Sequence, residues 1–385
     1  MKNHALLSAS GADRWMMCPP SARLEESEEN KSSVYAREGT FAHNLSEFKL
    51  KKHLGEISKK DFNENLKFMK ESEFYNKELE NYVNQYVDFA IEKINEHKKG
   101  IVFVEKRVDY SFICKGGFGT CDLLILDKDV IEVIDLKFGK GLKVDAKDNS
   151  QLRLYSLGTV DNFNFIFEAN KVKMTIVQPR LDHISTDEIK IEELINWGEK
   201  EVKPKADLAF EGKGKFNPGD HCRFCRVKDK CRARADENMN LAKLDFKVGP
   251  LLTDIEIARV LKQTNELVKW AKDIEKYAYT EAVNKGKKWP GFKLVEGRRS
   301  RRYSNEVTIA KKLLEAGYEE KDIFSKSLLN LTKLEKELGK KDFEEIIGSL
   351  IEIPPGKLKL VAEDDKRLEV KTSAEMDFKN KKENR

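Results

Sequence analysis

The chain has 385 residues, 39% hydrophobic and 36% charged, with a formal net charge of +5. That length supports more than one domain, and no window approaches the roughly 18 apolar residues of a membrane span. The small net charge permits nucleic-acid binding without requiring it, and Lys2 is not followed by the apolar core of a signal peptide, so the expected location is the cytoplasm.

In chain order, Ser10 is positioned to cap a short helix that Pro19 and Pro20 stop. Cys18, just before the prolines, reads by itself as a small buried hydrophobe. Residues 25–33 are acidic and polar and read as a loop. Thr40 is placed to cap a helix through Glu47 and Phe48, with His43 in its first turn. Residues 50–100 carry helical patterning around Tyr82, Tyr86, Phe89, Ile91 and Ile94. Ile101 to Tyr110 then reads as a strand, with Glu105 as a possible accessory acid or a surface residue.

Next come two aliphatic, β-branched runs, Leu123 to Leu126 and Val130 to Ile134, separated by Asp127-Lys128-Asp129. The spacing predicts a tight hairpin with Lys128 and Asp129 in the turn. Counting outward, Leu126 faces Ile131 and Asp122 faces Asp135. Side chains alternate along a strand, so Lys137 shares the face of Asp135. Opposed carboxylates destabilise a sheet, and a hard divalent cation such as Mg2+ or Mn2+ removes that cost. Read in isolation, the two acids also fit strand ends that face water. Beyond Gly139 and Gly141, Gln151 and Tyr155 stand four apart, on one face of a predicted helix. Val172 to Val177 predicts another strand, with Val172, Met174 and Ile176 on one face.

Residues 204–220 are rich in Pro, Gly and Lys and read as a loop. Cys222, Cys225 and Cys231 follow as Cys-x2-Cys-x5-Cys, a strong metal signal. Thiolates select zinc or iron–sulfur, and either wants a fourth ligand. His221 and Cys18 are the two candidates. Thr253-Asp254-Ile255-Glu256 is a capping box that opens a long helix ending near Gly286. Arg298, Arg299, Arg301 and Arg302 form a basic cluster that suits phosphate contacts or a solvated turn. Residues 304–350 read as helical, and Lys379 to Arg385 as a disordered tail.

Gly119…Asp122, Asp135…Lys137 and Gln151…Tyr155, in this order, resemble the RecB-like branch of the PD-(D/E)xK nuclease superfamily. Gly39-Thr40-Phe41-Ala42-His43 is similar to that branch's histidine helix. The resemblance covers residues 8–231. It implies an α/β fold, a mixed central sheet flanked by helices with a restriction-endonuclease-like core. It also implies a Mg2+- or Mn2+-dependent deoxyribonuclease, with exonuclease action on DNA ends. His43, Asp122 and Asp135 would be metal ligands, Lys137 would stabilise charge at the attacked phosphorus, and Gln151 and Tyr155 would position the lysine or the strand. Cys18 with Cys222, Cys225 and Cys231 is similar to the layout in AddB-type and CRISPR-adaptation nucleases, which implies a 4Fe–4S cluster. The expected domains are 1–248, the nuclease, and 249–385, a helical, basic region. The whole chain also resembles a phage and prophage family, through Trp289-Pro290-Gly291, the arginine cluster and Pro354-Pro355-Gly356-Lys357. That likeness implies DNA and phage recombination or replication proteins as partners. The rival reading is a non-catalytic iron–sulfur or zinc DNA-binding protein with a nuclease-like fold.

Overall fold

The structure is a computed structural model, and it describes residues 5–28, 33–167, 169–242, 253–295, 306–317, 319–324, 335 and 338–351. Its centre is a five-stranded mixed sheet in the order β1 (Ile101–Asp109), β2 (Phe118–Leu126), β3 (Val130–Leu136), β4 (Lys171–Gln178) and β5 (His183–Lys190). β1, β2 and β3 form an antiparallel meander. β4 lies parallel to β3, which needs a long crossover, and β5 is an antiparallel edge. The fold is thus α/β, with helices on the sheet's flanks and a helical C-terminal region.

The hairpin has the predicted register. Asp127 N donates to Val130 O at 3.0 Å, and Leu126 pairs with Ile131. Alternation then sorts the strand residues between two cores. Leu123, Ile125, Ile134 and Leu136 pack under α3 (Val34–His53) and α5 (Lys77–Glu96), which supply Leu45, Val83 and Tyr86. Leu124, Leu126, Ile131, Val133, Met174 and Ile176 pack on the other face against α6 (Ser150–Phe167), the crossover helix. Each such aliphatic side chain contributes roughly 1.5–3 kcal/mol relative to exposure. At the hairpin-turn end, His97 meets Asp127 through one ring nitrogen (2.9 Å) and buried Glu132 through the other (3.0 Å). Lys173 lies 3.1 Å from the same Glu132. These partners offset the cost of a buried carboxylate.

Several boundaries differ from those expected. α3 starts at Val34, capped by the Ser33 hydroxyl, which accepts from Ala36 N at 3.1 Å. Thr40 therefore lies inside the helix and donates its hydroxyl to Ala36 O, and His43 is mid-helix. Either Ser33 or Thr40 suits an N-cap, and the longer helix satisfies more backbone. At the N-terminus, Ser10 sits within a 3-10 turn, and α1 (Ala12–Met17) follows Gly11; α2 (Ser21–Glu26) comes after the two prolines. The first part of the stretch expected as loop, 204–220, instead lies in the helix Lys203–Glu211, with Pro204 in its first turn, Ala206 and Ala209 buried, and Gly212 at φ +69° closing it. β5 has no apolar run to announce it, because an edge strand hides only every second residue.

By compactness the chain forms two units, Met1–Thr280 and Glu281–Arg385. The long helix Asp254–Lys285, which begins in the first unit, opens on the expected capping box: Thr253 N and Oγ1 each donate to Glu256 Oε2 at 2.8 Å. Arg234 ties this helix down through Glu266 (2.7 Å) and Asp273 (2.8 Å). In the second unit, helices span Glu306–Glu315, Glu320–Ile323 and Lys340–Ile347. Arg298, Arg299, Arg301, Arg302, residues 354–357 and the tail lie outside the described residues. No helix among the described residues is long and apolar enough to cross a membrane.

Candidate active site and cysteine pocket

The site forms where the strands part. The β1–β2 ladder runs from Ile101↔Leu126 to Val104↔Leu123, then resumes at Lys106↔Cys121; the β2–β3 ladder ends at Leu123↔Ile134. Asp122 thus sits opposite Glu105 on one side and opposite Asp135 on the other, without a ladder pair to either. Glu105 has φ +51°, a left-handed conformation costly for a residue with a Cβ. That kink turns its carboxylate toward the gap. Asp122 Oδ2 accepts instead from Leu136 N at 2.7 Å, and its Oδ1 lies 3.1 Å from His43 Nδ1 on α3.

Ligand atoms of His43, Glu105 and Asp122 all lie within 4.8 Å of one another. One imidazole and two carboxylates suit Mn2+ or Mg2+, so the residues present fit a divalent cation. Glu105, open to two readings in the sequence, stands in this trio. Glu47 lies nearby; its spacing of four from His43 puts it on the same helix face, a signal the sequence already carried.

Asp135 is 2% exposed and has other partners. Gln151 Nε2 donates to its Oδ1 at 3.1 Å, and Lys137 Nζ forms an ion pair with its Oδ2 at 2.8 Å. Lys137 Nζ also donates to Gln151 Oε1 at 2.7 Å, and Gln151 Nε2 reaches the Tyr155 hydroxyl at 3.2 Å. The helical spacing of Gln151 and Tyr155 therefore puts them in contact with each other, and Gln151 in turn holds the lysine. Gly119 explains the remaining part of the pattern. A Cβ there would lie 2.5 Å from Tyr155 Cε1, so only glycine lets the ring seat over β2. Gly119→Ala is expected to displace Tyr155 and cost about 1–3 kcal/mol by overpacking, read as a lowered midpoint in thermal or denaturant unfolding.

The electrostatics follow from burial among like charges. Burial lowers the His43 pKa, but Asp122, by charge and hydrogen bond, and then Asp135 outweigh it and hold the imidazole up at about 9. Burial, then Asp122 and Glu47, push Glu105 up to about 7. Burial also raises Asp135, against the pull of Lys137. A cation must displace the protons on His43 and Glu105. Mn2+ affinity is therefore expected to rise with pH between about 7 and 9, with protons released on binding. Calorimetry in buffers of different ionisation enthalpy measures that release. Without a cation the sign for stability is opposite. The raised His43 pKa stabilises the fold fully below about pH 6.5, and that contribution is lost as pH rises through 9.

The second constellation lies at the chain's N-terminal segment. Cys18, Cys222, Cys225 and Cys231 all line one pocket, beside Arg14 and Arg234. None of the six cysteines is in a disulfide, and burial pushes the Cys225 thiol up to about 12. His221 lines the same pocket, and a hydrogen bond with Cys18 raises its imidazole. Among the described residues, no trio of these side chains closes to within 4.8 Å, as the His43 trio does. Protein contacts assemble the pocket: Glu25, 6% exposed, accepts from Arg14 Nε (2.8 Å) and from Arg226 N (2.7 Å), and Asn217 Nδ2 donates to Met17 O.

Two solved structures are similar over more than half of the chain. The crystal structure of a protein named SSO0001 matches at 14% identity, covering 60% of this chain and 87% of the other, with a TM-score of 0.28. A protein from Eubacterium rectale described as a "Putative exonuclease" matches at 12% identity, covering 57% and 86%, with a TM-score of 0.34. The profile of DUF2800, "Protein of unknown function", matches residues 4–368, nearly the whole length, and the chain accordingly belongs to the DUF2800 family.

Proposed function

We propose that this protein is a metal-dependent deoxyribonuclease that acts on DNA ends. One observation carries the reading. α3, β2, α6, β3 and the residue after β3 bring two polar groups together, His43 with Asp122 and Asp135 with Lys137, Gln151 and Tyr155; the Leu136 N–H joins them by donating to Asp122, and His43 and Asp122 share a cation-sized trio with Glu105. A buried cluster of acids with an amine among them costs stability and fits a catalytic centre.

His43, Glu105 and Asp122 would hold Mg2+ or Mn2+, with Asp135 and the Leu136 carbonyl completing the set. A bound divalent ion polarises the scissile phosphate and makes a water nucleophilic at neutral pH. Lys137 places a positive charge where negative charge grows as phosphorus is attacked. Gln151 spends its carboxamide on Lys137, Asp135 and Tyr155 together, which fixes the lysine's direction.

The four pocket cysteines would hold a 4Fe–4S cluster joining the N-terminal segment to residues 222–231. The donor set fits, since four thiols converge on one pocket.

The test is degradation of end-labelled linear DNA by anaerobically purified full-length protein with Mg2+ or Mn2+. Hydrolysis that a chelator stops supports the reading, and the labelled products give the polarity. Binding of DNA without hydrolysis of single- or double-stranded ends overturns it in favour of a binding module.

A further inference from the structure

The loop that follows Lys137 has a construction that the site itself does not require. Phe138 is buried, and the Arg180 guanidinium lies 4.9 Å over its ring. The next five residues, Gly139-Lys140-Gly141-Leu142-Lys143, are all exposed. Two glycines in five residues make a segment that ordinarily costs much to order. Here it is held from beneath by one side chain. Gln178, at the end of β4 and 1% exposed, donates through Nε2 to Gly139 O at 2.6 Å and to Leu142 O at 2.7 Å. Its Oε1 accepts from Val144 N at 3.1 Å. The Val144 carbonyl accepts from His183 Nε2 at 3.0 Å, and Ala146 N donates to Ser185 Oγ at 3.0 Å.

The post shapes a projection whose side chains are unused by the fold. Lys140 and Lys143 have no carboxylate partner among the described residues. The neighbouring acid Asp145 lies 3.1 Å from His183. Leu142, between the lysines, is 45% exposed. Two unneutralised amines flanking an exposed aliphatic side chain, on a braced backbone, match the chemistry of a nucleic-acid strand. Amines take phosphates, and an aliphatic side chain takes the face of a base or enters between bases.

We infer that the Gly139–Lys143 loop is a strand grip: Lys140 and Lys143 bind successive phosphates, and Leu142 wedges against the terminal base, leading one strand of a DNA end toward Lys137. This rests on the nuclease reading for its purpose, but its test does not. Binding of fluorescein-labelled single-stranded and blunt duplex DNA is measured by anisotropy in EDTA, over a range of salt, with the full chain. Each phosphate contact on a single strand contributes roughly 0.7 to the slope of log affinity against log salt. The Lys140→Ala/Lys143→Ala variant is expected to lose about 1.4 from that slope and about tenfold in affinity. Its melting curve should match the wild type, because neither side chain is buried. For the wedge, 2-aminopurine at the terminal position of a duplex should brighten on binding to wild type and stay quenched with Leu142→Ala. An unchanged slope in the double variant overturns the phosphate contacts. Equal brightening with Leu142→Ala overturns the wedge. A changed slope without hydrolysis in Mg2+ or Mn2+ keeps the grip and removes the nuclease reading; hydrolysis with an unchanged slope does the reverse.

Discussion

Lys137→Ala is expected to lower DNA hydrolysis by about 10²–10⁴-fold, the range for removing one positioned acid–base or charge-stabilising group. The amine is fixed on two sides, 2.7 Å from Gln151 Oε1 and 2.8 Å from Asp135 Oδ2. It does not belong to the His43, Glu105 and Asp122 trio, so at a pH where Asp135 is ionised in both proteins Mn2+ affinity should stay within a few-fold of wild type. The two readouts together separate a catalytic lysine from a structural one. The pH dependence adds a third. Burial already raises Asp135, and Lys137 is the main group pulling it down. Without the amine Asp135 rises further, so residual activity in the variant should increase toward higher pH. A variant with wild-type rates, still binding Mn2+, would remove Lys137 from the chemistry.

The second large effect belongs to the cysteine pocket. With the proposed cluster bound, anaerobically purified protein is expected to be brown, and Cys225→Ser to remove that colour and lower the denaturant midpoint. Cys18 and Cys222 are 204 positions apart. By the loop-entropy relation for cross-links, joining such distant points stabilises by about 5 kcal/mol. The observed loss should fall below that figure, because cross-links commonly deliver less than the chain-entropy relation gives. The effect should also reach the helix Asp254–Lys285. Lys228 and Arg234, which line the pocket, bind its Asp273. Hydrogen exchange across residues 254–280 should therefore quicken in the variant. Wild-type protein that is colourless and carries one zinc per chain would overturn the iron–sulfur assignment.

The elements legible in the sequence are those whose cause is local. The Asp127-Lys128-Asp129 break between aliphatic runs sets the hairpin and its register, because a two-residue turn leaves one way to pair the strands. Thr253 and Glu256 likewise mark a helix start by hydrogen bonds within four residues. The spacing of Gln151 and Tyr155 places both on one helix face for the same reason.

What tertiary structure alone decides lies where distant segments meet. Glu105 turns into the site because a left-handed residue interrupts β1 opposite Asp122, and no feature of Ile101 to Tyr110 marks that kink. Gln178 becomes a post for the loop after Lys137 only because β4 lies parallel to β3 and ends beside it. Cys18 reaches Cys222, Cys225 and Cys231 through the Glu25 clasp, a contact 201 positions apart in sequence. Composition and periodicity record which residues are apolar, charged or turn-forming, and they therefore determine the elements whose cause is local, but not β5 or the helix Lys203–Glu211. The meeting of side chains from separate elements depends on the sheet order and on where each ladder stops.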